Sequence, residues 1–347
     1  MPRLLYVGSH DGMERGLVER ESALPFAGIT AAAIKGRGPL QLLRNSLLIA
    51  RGVREARSLI RRERPAAILG TGGYVCFPLF VAARSLGVPT MIYLPDVKPG
   101  LAVKVLARIA TRVACSFEPS LRYLPRAKTV VTGYPVRPEL FTVDRAVSRA
   151  TFGLSDDLPV LFVYGGSRGA RSINRAIEAL LPELLALAQI IHVCGREGDE
   201  TWLRAAAERL SPELRARYHL YPYLHGTIVE AFGAADVAVA RAGASTLAEL
   251  PAAKLPAVLA PLLIVDQDEN ADYLAQRGAA VSVPDEQMLG TGAPVDGPLF
   301  REIRQLLTDP QARERMARNS AALARPDAAA TLAATLLELA EHERRAA

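Results

Sequence analysis

Short apolar runs bounded by Gly, Pro or Asp alternate with longer amphipathic stretches along nearly the whole chain. The short runs read as buried parallel strands, and apolar positions recurring near every 3.6 residues read as helices. In the first half this predicts strands at 3–7, 26–30, 66–69, 90–94, 112–117 and 129–131, with helices at 13–21, 40–64, 77–86 and 101–110. In the second half it predicts strands at 159–164, 190–194, 218–221, 236–240, 257–260 and 279–283, and a long helical run over 170–188. The tail gives a polar helix at 310–325, a stop at Pro326 and a last helix at 327–344. Such βα alternation implies an α/β protein with parallel sheets. The Gly133-to-Pro138 segment, with two prolines, breaks the alternation. The expected domains are therefore 1–138 and 139–326, doubly wound with a cleft between them. Residues 139–158 are a polar lead-in, and helix 327–347 is expected to pack back towards the first domain.

Two strand-to-helix turns stand out. After the apolar run 236–240 comes Arg241-Ala-Gly-Ala-Ser-Thr-Leu-Ala-Glu249. Gly243 and Ala244 give a tight turn, and Ser245 and Thr246 can cap a helix start. A helix start presents unpaired N–H groups and the positive end of a dipole, which suits a phosphate. Glu249, in the first turns, can accept from sugar hydroxyls, or simply be solvated. Pro251 should leave that helix kinked or short. The second turn is Gly165-Gly-Ser-Arg-Gly-Ala170. Gly165 and Gly166 let the backbone approach a ligand, Ser167 can donate to a phosphate, and Asn174 can bond back towards the loop. Neither turn is G-x-G-x-x-G or a Walker loop. Either alone is well explained as a capped helix. Two at the carboxyl ends of strands favour a phosphate-bearing ligand.

Composition narrows the partner. The chain has 347 residues, half of them apolar, and a net charge of +6, which suits two ordinary domains and an anionic partner. Aromatics are not interleaved with basic residues, so no nucleic-acid platform is expected. Within 40–64, Leu43, Leu47, Val53, Ala56 and Ile60 form a stripe beside seven arginines. A core-facing stripe with a solvated basic face is the first reading. A membrane-surface face is the second, because Leu42, Leu48 and Ile49 broaden the apolar side. Cys76, Cys115 and Cys194 lie apart in apolar runs, as buried free thiols of a reducing compartment, with no metal site. The amino terminus does not read as a signal peptide, and no apolar run has transmembrane length.

Five segments together resemble one family: Gly70-Thr-Gly-Gly-Tyr-Val75, Pro99-Gly-Leu101, Gly133-Tyr-Pro-Val-Arg137, Gly165 through Asn174, and Arg241 through Glu249. In this order they are similar to the MurG family of peptidoglycan synthesis, in glycosyltransferase family 28. Its members transfer N-acetylglucosamine from UDP-N-acetylglucosamine to an undecaprenyl-pyrophosphoryl-muramoyl-pentapeptide. The resemblance implies a GT-B architecture, with the donor on the C-terminal domain and the lipid acceptor on the N-terminal one. It implies Arg137 and Ser167 as donor-site residues, Leu224 against the uracil, Ala244, Ser245 and Thr246 at the diphosphate, and Glu249 at the ribose. The segment with Gly72, Gly73, Tyr74 and Asp96 falls on the acceptor side. An inverting transfer is implied, with leaving UDP stabilised by these groups rather than by a bound metal, and no cofactor. Expected partners are the lipid acceptor, an anionic membrane surface and cell-wall or divisome proteins. The expected location is peripheral, on the cytoplasmic face of the bacterial plasma membrane.

Three departures qualify the resemblance. The family's opening Gly-rich loop, whose histidine is its proposed base, has no match; residues 3–7 and 11–14 resemble its second βα unit. A misplaced start or a shortened chain is expected, with poor turnover by residues 1–347 alone and restoration by an upstream βα unit. His10 reads as a surface loop residue, and Asp96, where the family has Asn, is the candidate base or a turn-forming aspartate. The sugar-recognition loop reads Asp266-Gln-Asp-Glu-Asn270, so Gln267 or Asp268 meets the sugar. The alternatives are glucosyl or galactosyl transfer to diacylglycerol, a catalytically silent UDP-sugar-binding relative, and UDP-sugar epimerisation.

Overall fold

The apolar runs become parallel strands and the amphipathic stretches become the helices that cover them. The computed structural model describes residues 3–10, 12, 14–32, 39–262, 264 and 266–346. Asp11 and Met13 lie outside the described residues, as do the side chains of Leu42 and Leu43. The chain divides into residues 1–133 with 330–347, and residues 134–329. Residues 134–138 thus go with the second unit and not, as expected, with the first.

The first unit runs β1 (Tyr6–Ser9), α1 (Glu14–Glu21), β2 (Phe26–Ile29), α2 (Pro39–Glu63), β3 (Ile68–Gly70), α3 (Cys76–Ser85), β4 (Thr90–Leu94), α4 (Leu101–Ile109), β5 (Arg112–Cys115) and β6 (Thr129–Val131). Its strands do not make the single doubly wound sheet that the alternation suggested. β1 and β2 form one parallel pair, and β3-β4-β5-β6 a separate parallel sheet. Among the described residues, no strand pairs with the outer edge of β1 or of β3. One core nevertheless spans both pieces: Ile29, Ala56, Ile60, Ile68, Phe80, Ile92 and Leu106 are buried in it. The stripe on α2 is core only over its carboxyl half. Ala56, Leu59 and Ile60 are buried, whereas Leu47 is 66% exposed.

The second unit runs α5 (Arg145–Thr151), β7 (Val160–Tyr164), α6 (Arg171–Ala179), α7 (Leu181–Leu187), β8 (Gln189–Val193), α8 (Glu200–Ala207), α9 (Pro212–Ala216), β9 (Tyr218–Tyr221), α10 (Ile228–Ala234), β10 (Val237–Ala240), α11 (Thr246–Ala252), β11 (Ala257–Leu259), α12 (Asp268–Ala275), β12 (Val281–Ser282), α13 (Pro298–Thr308) and α14 (Pro310–Ala321). The last helix, α15 (Ala328–Ala346), groups with the first unit from Ala330 onward. Six parallel strands stand in the order β12-β11-β10-β7-β8-β9. All residues of β7, β8 and β10 are buried, because a parallel sheet is covered on both faces. The expected single helix over 170–188 is two: α6 ends at Ala179, and Pro182 lies in the first turn of α7, since proline removes an N–H and clashes with the preceding turn. The lead-in 139–158 contains α5, tied to the strand start by Arg145 and Arg149, which both bind Asp236.

Candidate active site

From β7 the chain steps outward through β8 to β9, then crosses back and steps the other way through β10, β11 and β12. The direction reverses between β7 and β10, which are direct neighbours with Tyr164 opposite Ala240. At such a reversal the two following loops diverge to opposite faces and leave a crevice at the carboxyl ends. The two Gly-containing turns are the loops that flank it.

The first turn needs its glycines for space. A Cβ on Gly165 would lie 2.3 Å from Ala170 N, and one on Gly169 would lie 2.0 Å from Cys194 O. Gly166 and Gly169 both have positive φ, and Gly169 N donates to Gly166 O at 3.0 Å. This leaves Ser167 exposed at the tip. Asn174 does not bond back to the loop tip as expected. It is 1% exposed, and its Nδ2 donates to Cys194 O at 2.8 Å and Asp199 Oδ2 at 2.9 Å. Its Oδ1 meets His192 Nε2 at 3.0 Å, and His192 Nδ1 meets the Tyr218 hydroxyl at 2.8 Å. Burial pushes His192 down to about 3, so it is neutral and carries one ring proton for two partners. Asp199 also accepts from Arg171 and Trp202. Asn174 therefore pins α6 to the end of β8 and fixes the loop from behind.

The second turn is short. Ser245 precedes α11 with helical dihedrals and makes no capping bond, so the expected side-chain cap does not form. The helix has seven residues and contains Pro251, as its sequence led one to expect. Arg241 reaches Ala260 O at 2.9 Å, Ser172 Oγ at 2.5 Å and the Asp285 carboxylate. It ties the strand end to α6 and to the 285–287 turn, a role no sequence signal announced. Glu249 is not a solvated face residue. Burial raises its pKa, opposed by the Ser245 hydroxyl and then by the Arg137 guanidinium. Arg137 and Glu249 share a cavity of 510 Å³ with Tyr134, Pro135, Val136 and Ser245. A cation and a desolvated acid in one hollow are suited to an anionic group and a hydroxyl-bearing group of the same ligand.

The remaining predicted residues are more dispersed. Leu224 is buried, 8% exposed, in the loop after β9. Gln267 turns inward, its Oε1 accepting from Leu262 N at 3.0 Å, whereas Asp268 is exposed in the first turn of α12. In the first unit, Gly72, Gly73 and Tyr74 form the loop after β3, both glycines with positive φ and Tyr74 62% exposed. Asp96 lies in the loop after the neighbouring strand β4, and its carbonyl accepts from Ser120 Oγ at 3.4 Å. His10 is exposed and pairs with Glu55 at 3.5 Å. The three cysteines are free and buried, and burial pushes Cys115 up to about 12, so these thiols are inert.

Comparison with known proteins bears on the fold and the family. Residues 2–115 match the glycosyltransferase family 28 N-terminal domain, and residues 160–332 match its C-terminal domain. The UDP-N-acetylglucosamine–N-acetylmuramyl-(pentapeptide) pyrophosphoryl-undecaprenol N-acetylglucosamine transferase of Roseiflexus sp. (strain RS-1) is 57% identical, with 95% of this chain and 82% of that protein aligned. The Bacillus subtilis (strain 168) protein of the same name is 33% identical, over 96% of this chain and 90% of its own. Among solved structures, Acinetobacter baumannii MurG superposes with a TM-score of 0.74 at 24% identity, covering 97% of this chain and 91% of that one. A Neisseria meningitidis UDP-GlcNAc 2-epimerase gives 0.63 at 14% identity, over 96% of this chain and 90% of that one. At those identities the likeness is one of fold, the two-domain α/β GT-B fold. Two domain matches in order and a relative identical at more than half of its aligned positions give one conclusion: the chain belongs to the MurG family, within glycosyltransferase family 28.

Proposed function

We propose that the chain transfers N-acetylglucosamine from UDP-N-acetylglucosamine to the muramoyl-pentapeptide of an undecaprenyl-diphosphate acceptor, with inversion. The observation that carries this reading is the pairing of Arg137 and Glu249 in one cavity beside the β7–β10 reversal. The acceptor's 4-hydroxyl attacks the anomeric carbon, the carbon–oxygen bond to the diphosphate breaks, and UDP departs. Charge that grows on the diphosphate is met by Arg137, by Ser167 at the loop tip and by the backbone N–H groups of 244–246. A seven-residue helix contributes a small dipole, so Arg137 carries the larger share. Glu249 takes the ribose hydroxyls, and Leu224 supplies the apolar side of the uracil site. Asp268 and Gln267 stand at the sugar, with Gln267 acting through the loop it closes. The acceptor binds the first unit at the loops after β3 and β4, and Asp96 is the candidate for taking the hydroxyl proton.

A lipid-linked acceptor requires contact with a membrane face, which here is the cytoplasmic one. Among the described residues, no helix is long and apolar enough to cross a membrane. Exposed Leu47 on α2 lies near Arg51 and Arg54, and exposed Leu101 opens α4, which carries Lys104 and Arg108. Such apolar and basic side chains suit a peripheral attachment to anionic lipid. The direct test is transfer of labelled sugar to the polyprenyl-diphosphate muramoyl-pentapeptide. Label should move from UDP-N-acetylglucosamine and much less from UDP-glucose. Preference for UDP-glucose with diacylglycerol would favour the glycolipid alternative. Residues 1–347 alone should turn over poorly, and no transfer to either acceptor even with an upstream βα unit joined to the chain would refute the reading.

A further inference from the structure

Beneath the donor-side cavity sits a hydroxyl that nothing described so far uses. Tyr164 is the last residue of β7, immediately before the Gly165 turn, and is only 7% exposed. Its ring is clamped, stacked on Phe162 at 4.6 Å and meeting the edge of Phe232 at 5.3 Å. The clamp fixes where the hydroxyl lies. That oxygen is fully buried yet makes no hydrogen bond of normal geometry. Its polar neighbours are Thr246 and Glu249, on the first turn of α11. A phenylalanine would fill the same aromatic clamp without burying an unsatisfied group, so packing alone does not account for the oxygen.

We propose that Tyr164 is a positioning residue for the nucleotide: its hydroxyl donates to the Glu249 carboxylate from below when a ribose draws that carboxylate into place from above. The inference rests on the reading of Glu249 as the ribose acid. An ionised carboxylate accepts several hydrogen bonds, and a desolvated one needs them to stay charged. Ser245 and Arg137 supply part of that support on the cavity side. Tyr164 lies at the end of β7, on the sheet side of α11, with Glu249 among its neighbours. Arg137 is the charged group that acts on Glu249, and Tyr164 is the titratable one. α12 and α14 also pack on α11 but place no charge among those acting on this carboxyl.

The test is calorimetric titration of the whole chain with UDP, for the native protein, Tyr164→Phe, Glu249→Gln and the double variant, across pH 5 to 8. Thermal melting of each variant establishes that it is folded. Tyr164→Phe should melt no lower than the native protein, because the hydroxyl it removes makes no hydrogen bond of normal geometry in the structure. It should bind UDP about tenfold more weakly, and the acidic fall-off in affinity should move to higher pH, since Glu249 loses a donor that favours its charged form. In the Glu249→Gln background the same change should have little further effect. Unchanged affinity and pH profile in Tyr164→Phe would overturn the inference, as would an equal loss in both backgrounds. If Glu249→Gln binds UDP as the native protein does, the ribose reading itself fails. Loss in Glu249→Gln with none in Tyr164→Phe refutes the tyrosine's role alone.

Discussion

Glu249 and Asn174 show how differently two polar residues of similar spacing from a glycine turn behave. Glu249 was expected to face the ligand and Asn174 to bond back towards its own loop. Glu249 keeps its acid in the cavity, desolvated and held near Arg137, whereas Asn174 spends every bond on β8 and α8. Protonation removes Glu249 as an acceptor, and burial sets that protonation at a higher pH than for a free glutamate. UDP affinity should therefore fall on acidification before ordinary carboxylates titrate, and Glu249→Gln should flatten that fall; calorimetry across pH checks both. Asn174→Ala should instead cost about 1–3 kcal/mol of stability in urea unfolding, by taking one hydrogen bond each from His192, Cys194 O and Asp199. The motif identified both residues, but it could not assign their partners. A strand sequence such as Gln189–Val193 shows that His192 is inside, yet which helix meets its ring is decided by packing at long range. Tyr164 was unreadable for the same reason, since it appears in sequence as one more apolar strand residue.

At the scale of elements, the glycine turns and the strands they follow were legible, and the helix caps were not. β4, β6 and β9 match their predicted spans because apolar runs bounded by Gly, Pro or Thr admit few alternatives. The Ser245 cap failed because Ser245 already has helical dihedrals, not the extended ones of a capping residue, and its hydroxyl goes to Glu249. The Gly165–Ala170 turn held because Gly165 and Gly169 meet backbone at distances no Cβ tolerates, and Gly166 takes a positive φ. Gly169→Ala, at φ +85° and 2.0 Å from Cys194 O, should destabilise by at least about 2 kcal/mol in denaturant titration and should weaken UDP binding. His192 gives this element a pH signature. Its folded pKa of about 3 lies below the unfolded value, so the unfolded chain binds a proton that the folded chain refuses. Stability should fall as pH drops below about 6.5, by roughly 2 kcal/mol on reaching pH 5. A His192→Gln variant should show a smaller decline over that range. Glu55, lowered to about 2, adds its own loss only further into acid, below about 4.5.

At the scale of the molecule, the alternation revealed two α/β units but not how strands pair within each. In the second unit the order β12-β11-β10-β7-β8-β9 places its first strand centrally, and the reversal beside it makes the site. In the first unit β1-β2 and β3-β4-β5-β6 stay separate, so the same periodicity leads to a different sheet. Pairing is a long-range choice that local pattern does not encode. The net charge of +6 should appear as salt-sensitive co-sedimentation with vesicles containing anionic lipid, and indifference to both lipid charge and salt would contradict the peripheral reading. The claim on which everything else depends is that the β7–β10 reversal, with Arg137, holds a uridine diphosphate. Titrating the whole chain with UDP, UMP and uridine tests it most directly. UDP should bind much more tightly than uridine, with UMP between, and Arg137→Ala should erase most of that difference while leaving uridine unchanged. A protein that binds UDP no better than uridine, or binds it equally well without Arg137, contradicts the account.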